Sequence, residues 1–343
     1  MRTIDELRRN FYRIELPLPL ESLNSINIYV VRDGEKVLII DTGINTKECL
    51  DSLLGCLKEL KIDINEIDYF ITHSHIDHFG NLKSLLRKGK KAYMNKIEWE
   101  HIKRLKYNLF KNEIEYFLIR SGFPEIDIES LPSQFNKVEP IYDIDPKNFT
   151  FLCDGDYLRL GNYNFLCITT PGHTKGHTTL FETELKLFIS GDHILGEITP
   201  TVQTRLYPEN PLKDYLASLK KIYSLPIECV LPSHGKCFKD HKGRIEELWK
   251  HHKQRIEEVV AILKEGERNT YEIASKMSWD IHFNDWNSFP PLQKFFAVGE
   301  AMAHLRYLEE EGLIKRRIKS QKEIISWKLT GTGKTNQKMS SEL

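Results

Sequence analysis

The stretch ITHSHIDHFGN, Ile71–Asn81, follows the apolar run IDYF and places His73, His75, Asp77 and His78 within six consecutive positions. Imidazole and carboxylate are good ligands for first-row divalent ions, and a loop that delivers several at once holds a metal with little further ordering. His73 and His75 flank one residue, so both can point into a single site from an extended turn, while Asp77 and His78 face a second position nearby. One His-x-His pair could equally be a solvated loop. Here four more apolar runs end on groups of the same kind: KVLIIDTG carries Asp41, YNFLCITTPGH ends on His173, KLFISGDH contains Asp192, and ECVLPSHG contains His234. Polar groups delivered at the C-terminal ends of several strands are the arrangement by which open α/β sheets build their sites.

The 343 residues suffice for one large domain plus a smaller one. With 40% hydrophobic and 29% charged residues the composition is that of a globular chain, and Lys+Arg and Asp+Glu both total 49, so no global field draws in a polyanion. The N-terminus lacks an uninterrupted apolar stretch, and nothing approaches the ~18 apolar residues of a membrane span, which predicts a cytoplasmic protein without a membrane partner. Cys49, Cys56, Cys153, Cys167, Cys229 and Cys237 form no C-x-x-C pair, against a cysteine-based zinc site or a disulfide framework.

The strand-rich pattern extends to about residue 243. It is interrupted at about 95–135 by apolar residues at helical spacing, read as a helical insertion. An amphipathic helix from 244 leads into a second domain ending near 330. Its order of helix, helix and two β-like runs around a polar turn is that of a winged helix; residues 331–343 read as a flexible tail.

The series His73, His75, Asp77, His78, then His173, Asp192 and His234, with Asp41 in IIDTG, resembles the signature of the metallo-β-lactamase superfamily. The phrases PGHTKGHT, SGDHILGEITPTV and LPSHG, with EAMAHLRYLEEEGLIKR later, look like the metallo-hydrolases of that superfamily that carry a C-terminal winged-helix domain. The resemblance implies an αββα sandwich in the α/β class. It also implies two divalent ions per chain: His73, His75 and His173 as ligands of one, Asp77, His78 and His234 of the other, and Asp192 between them. Zn²⁺ is the first expectation, with Mn²⁺ or iron compatible with the same ligand types. A metal-bridging water would be the nucleophile, with Asp77 orienting it.

Asp41 is expected to orient a ligand imidazole, and His177 and His193 to hydrogen-bond locally behind the ligands. From Arg87 to Lys111 there are nine Lys or Arg residues and two acids, Glu98 and Glu100. Lys90, Lys91 and Lys96 are therefore candidate contacts for an anionic substrate, with Thr199 shaping the site. The function expected is hydrolysis of a small, anionic ester, thioester or phosphoester. An endoribonuclease acting on single-stranded RNA is the alternative enzyme, and a nucleic-acid-binding regulator with a metal-sensing domain is the alternative of another class. Missing export signals argue against a secreted β-lactamase. From Arg244 to Leu343 there are 17 Lys+Arg and 15 Asp+Glu. The presumed recognition helix near 297–312 carries four glutamates against Arg306, so tight duplex DNA binding is not expected, and a homodimer is an open alternative use of the domain.

Overall fold

A computed structural model of the chain describes residues 3–19, 23–106, 109–131, 144–204, 209–280, 285–319 and 323–331. Seven strands form the larger sheet in sequence order: β1 (Thr3–Arg8), β2 (Phe11–Pro17), β3 (Ser25–Asp33), β4 (Lys36–Ile40), β5 (Ile67–Phe70), β6 (Ala92–Met94) and β7 (Phe149–Phe151). Five form a second sheet: β8 (Tyr157–Leu160), β9 (Tyr163–Thr169), β10 (Thr178–Glu182), β11 (Leu187–Gly191) and β12 (Cys229–Pro232), in the order β12-β11-β10-β9-β8. β4 to β7 pair in parallel, as do β11 and β12, while the remaining pairs of these two sheets are antiparallel.

The period-2 alternation of a strand buries two different faces at once. In β4, Val37 and Ile39 enter one core with Cys49, Leu53 and Leu57 of the helix Lys47–Glu59, whereas Leu38 and Ile40 enter the other with Phe165, Cys167, Leu180, Ile189 and Leu231 of the second sheet. The two sheets therefore pack face to face, with helix on the outer side of the larger one. All five apolar runs singled out in the sequence are strands, and each delivers its polar group where the strand ends.

The chain divides into two compact units. One comprises Met1–Lys106, Pro140–Pro200 and Ser218–Arg244; the other comprises Tyr107–Glu139, Thr201–Ala217 and Ile245–Leu343. The segment predicted as a helical insertion contains helices Lys96–Lys106, Leu109–Ser121 and Glu125–Ser130. The first belongs to the sandwich unit and the other two to the second unit. That unit also holds Thr270–Ala274, Pro291–Glu310, and a small sheet of β13 (Arg268–Asn269), β14 (Ile314–Lys319) and β15 (Ile324–Leu329) in the order β13-β15-β14. Of the expected tail, residues 332–343 lie outside the described residues. No described helix is long and apolar enough to cross a membrane.

The loop after β5 is fixed from behind by a backbone contact that admits only glycine. A Cβ on Gly80 would lie 2.3 Å from the Ile76 carbonyl oxygen, 2.6 Å from the Asn45 nitrogen and 2.8 Å from the Gly43 oxygen. Backbone cannot yield as a flexible side chain does, so Gly80→Ala should lower the unfolding free energy by about 1–3 kcal/mol, the usual cost of overpacking. Equilibrium denaturant titration checks this; an unchanged midpoint would mean that the two loops are not in this contact.

Candidate metal centre

The loop between β5 and the helical turn Ile76–Phe79 carries the four residues of the opening motif, and its first anchor is Asp41. Asp41 has a left-handed backbone, φ 63°, uncommon outside glycine and characteristic of over-determined functional sites. Its Oδ1 accepts the Thr72 N–H at 2.8 Å, its Oδ2 accepts the Thr72 hydroxyl at 2.9 Å, and the same Oδ2 lies 2.7 Å from His78 Nδ1. A carboxylate with no proton only accepts, so His78 Nδ1 carries a hydrogen and Nε2 is the atom that faces inward. The Thr72 hydroxyl, donating to Asp41, accepts in turn from His73 Nδ1 at 3.0 Å, which gives His73 the same tautomer. His234 Nδ1 donates to the Ser25 carbonyl at 2.8 Å. Three imidazoles are thus set with Nε2 facing inward, each by a different partner behind it.

The other loops have anchors of their own. Asn27 donates from Nδ2 to the carbonyls of Pro232 and Gly235, both at 2.8 Å, bracketing His234. His177 Nε2 accepts the backbone N–H of Asp192 at 3.1 Å, and its Nδ1 donates to Thr170 Oγ1 at 2.8 Å. The ring of the fully buried His193 stands 6.2 Å from that of His177. His177 therefore positions the Asp192 backbone, and His193 packs behind it.

The inward atoms form two groups. His75 Nδ1 lies 3.0 Å from His73 Nε2 and 3.0 Å from His173 Nε2, and His173 Nε2 lies 3.5 Å from Asp192 Oδ2. On the other side, His78 Nε2 is 3.6 Å from Asp77 Oδ2 and 3.6 Å from Asp192 Oδ1; His234 Nε2 is 3.4 Å from the same Asp77 oxygen and 3.5 Å from the same Asp192 oxygen. Ligand atoms about 2.0–2.2 Å from a tetrahedral ion sit about 3.3–3.6 Å apart. Moreover, His78 Nε2, His234 Nε2 and Asp192 Oδ1 are buried with no hydrogen-bond partner, an expensive condition for polar atoms that a cation relieves. The residues present fit divalent ions in both groups.

Electrostatics agree. Burial first, then the neighbouring imidazoles, push His75 down to about 3, so it is neutral and available as a donor. Burial also opposes charge on His78 and His234, but nearby carboxylates outweigh it. Asp41, Asp77 and Asp192 hold His78 well above its ordinary value, and Asp192 and Asp77 push His234 up to about 10. Asp77 falls to about 2 because the charges of His78 and His234 overcome its own burial.

The candidate substrate contacts fare differently. Lys90 pairs with Glu66 at 2.7 Å and Lys91 donates to the Lys147 carbonyl at 3.1 Å, both at the start of β6, which runs parallel to β5, the strand whose far end leads to the histidines. From Glu66 to His73 the extended chain covers about 20 Å. Lys90 and Lys91 are therefore not brought to the histidine loop, because a strand carries neighbours in sequence away from each other in space. Lys96 is exposed and follows Asn95, whose side chain closes on Gly176 between His173 and His177. Thr199 is half-buried in the loop beyond Asp192. Residues with equal structural weight that the motifs did not single out are Thr72, Asn27, Asn81 and Glu98. Asn81 donates to the Thr42 and Ile44 carbonyls at 3.0 and 2.9 Å, and only its place inside the opening stretch hinted at it.

Two face-to-face sheets with paired His/Asp clusters at their strand ends define a metal-dependent hydrolase. A family model described as "Metallo-beta-lactamase superfamily" matches residues 22–234, and one described as "Metallo-beta-lactamase-like, C-terminal domain" matches residues 257–328. The chain belongs to the metallo-β-lactamase superfamily. It is 26% identical over 295 residues to the Beta-lactamase-like protein 2 homolog of Caenorhabditis elegans, covering 86% of this chain and 82% of that one. It is 25% identical to the human Acyl-coenzyme A thioesterase MBLAC2, covering 64% of this chain and 76% of the relative. A crystal structure of a metallo-beta-lactamase family protein from Thermus thermophilus superposes with a TM-score of 0.80 at 26% identity, covering 94% of this chain and all of that one.

Ligation needs neutral imidazoles, whereas the carboxylates around His78 and His234 favour the protonated forms of both rings. A raised folded-state pKa favours the protonated form below that value, so proton competition fades, and metal affinity rises, as pH climbs toward about 10. Metal loading at pH 7 should release protons, since ligation displaces those that the carboxylates favour on these rings. Calorimetry in buffers of different ionisation enthalpy measures this, and release of none would contradict the proposed protonation.

Proposed function

We propose that the chain hydrolyses small thioesters at a dinuclear centre, with His73, His75 and His173 serving one ion, Asp77, His78 and His234 the other, and Asp192 both. The observation that carries this is the division of Asp192, whose Oδ2 faces the first group and Oδ1 the second. Ions held there would supply a nucleophilic water at neutral pH and polarise the acyl oxygen. The spacing of the second group suits a four-coordinate ion such as zinc; manganese and iron share the ligand types. Among the described residues no thiol competes as nucleophile at the site. Cys49 is buried, receives the Asn81 amide at 3.7 Å, and is pushed by burial up to about 11. The thioester class is supported by the name of the human relative. The anionic handle of a coenzyme thioester would meet Lys96, which lies between Asn95 and Ile97, two residues that approach Gly176 of the His173 loop.

Metal-loaded protein should turn over acyl-coenzyme A in preference to lactones, phosphodiesters and single-stranded RNA, and Asp192→Ala should reduce that turnover by about 10³, since several kcal/mol of charge stabilisation are lost. Lys96→Ala should raise KM for acyl-coenzyme A while leaving an uncharged thioester unaffected. A loaded protein that cleaves RNA and spares acyl-coenzyme A would overturn the thioester assignment.

We propose also that residues 268–329 are a winged helix used for protein contacts. The order of its helices and strands supports the first part, and its charge pairing the second. On the helix Pro291–Glu310, Glu309 pairs with Arg306 and Glu310 with Lys213. In the presumed wing, Arg316 faces Glu309 at 3.4 Å and Arg317 faces Glu267 at 3.8 Å. Cations already paired release few counterions from DNA. The full chain should therefore bind duplex DNA with Kd above about 10⁻⁶ M at physiological salt; tighter binding with a steep salt dependence in a filter or anisotropy assay would refute the proposal.

A further inference from the structure

Glu98 sits in the first turn of the helix Lys96–Lys106 with 1% of its surface exposed, an unusual place for a carboxylate that has no basic side chain in contact among the described residues. Both of its oxygens are used. Oε2 accepts the Ser74 N–H at 2.8 Å and Oε1 accepts the Gly176 N–H at 2.6 Å. Ser74 lies between His73 and His75; Gly176 lies between His173 and His177. One buried side chain thus spans the two loops that supply the imidazoles of the first cluster, reaching 24 residues back and 78 residues forward.

The fit around it is close. A Cβ on Gly176 would stand 2.9 Å from Ile97 Cβ, 3.0 Å from Glu98 Oε1 and 3.1 Å from Asn95 Oδ1, so the glycine lets its loop approach the helix. Asn95 in turn caps the helix start, its Oδ1 accepting the Ile97 N–H at 2.9 Å. The second cluster has separate supports. His78 leans on Asp41 and His234 on the Ser25 carbonyl, and neither support touches Glu98 among the bonds that hold it.

We infer that Glu98 is a positioning residue for the first cluster alone, setting the distance between the His73/His75 loop and the His173 loop through two backbone N–H groups. The inference rests on the assignment of both clusters as metal ligands. Carboxylate chemistry is required, because a side chain must accept twice from opposite directions. Glutamine of the same shape has one oxygen, and its NH₂ would face the second N–H donor to donor. Aspartate keeps both oxygens but is one methylene too short to span the same gap.

The experiment compares ion affinities in wild type, His173→Ala and Glu98→Gln by chelator competition with Zn²⁺ and by Co²⁺ absorption spectra. His173→Ala identifies which affinity class belongs to the first cluster, whatever the wild-type stoichiometry. Glu98→Gln should weaken that same class by about 10- to 100-fold, the usual effect of losing a group behind a ligand. The second class should remain within about twofold, and kcat should fall with KM little changed. Equal weakening of both classes, or of neither, would overturn the inference. Wild type that binds no ion would instead remove the metal assignment on which it stands. Should Glu98→Gln not fold, hydrogen exchange on metal-free wild type decides: the Ser74 and Gly176 amides should exchange as slowly as core strand amides, and exchange at open-loop rates would show that the clamp does not hold.

Discussion

Carboxylates buried at the ends of parallel strands are the constraint on which the rest of this site depends. Asp41 at the end of β4 binds the backbone and hydroxyl of Thr72 at the end of β5 and orients His78 beyond it. Removing a carboxylate from water costs several kcal/mol unless donors replace the lost hydration. Here the donors are the backbone and imidazole groups of the loops that must be held. Satisfaction of the buried charge and placement of the ligands are therefore one event, and neither is available to the unfolded chain. The left-handed φ of Asp41 belongs to the same event: its strain of about 1–3 kcal/mol persists because several bonds over-determine it.

The strand ends were legible because period-2 apolar runs and metal-binding side chains are local features, visible within a dozen residues. So were the helices at 241–264 and 291–310, which follow long amphipathic or apolar patterns. What lay beyond local reading was every partner supplied from far along the chain. Glu98 counted in the sequence only as an acid diluting a basic run; its role depends on loops 24 and 78 residues away. The Ser25 carbonyl that sets the tautomer of His234 is 209 residues distant and carries no side-chain signature at all. The basic run is divided by the fold. Nine cations within Arg87–Lys111 suggested one field, yet β6 and a helix separate them, and Lys90 pairs with Glu66 and Lys103 with Glu100. Density in sequence becomes density in space only on one face of one element.

The two units also differ in how they treat charge. In the sandwich unit, unpaired buried atoms converge: His78 Nε2, His234 Nε2 and Asp192 Oδ1 all face the same space. Among the described residues of the second unit, several charges on and near the helix Pro291–Glu310 are matched, as with Arg306 and Glu309 or Lys213 and Glu310. Matched exposed pairs are worth little for stability, about 0–1 kcal/mol each. They remove free cations from the surface and with them the long-range attraction that a polyanion needs.

Charge is unevenly divided inside the centre. Asp41, Asp77 and Asp192 place three carboxylates around His78 and His234, and the protein answers by raising the proton affinity of those two rings while leaving His73 and His75 neutral. The first cluster, with three imidazoles and one shared carboxylate oxygen, carries little negative charge of its own and relies on geometry to stay open. The second, with Asp77 wholly its own, relies on charge. The supports differ accordingly: Glu98 joins the loops that carry His73, His75 and His173, while His78 leans on Asp41, and His234 on the Ser25 carbonyl with Asn27 holding its loop.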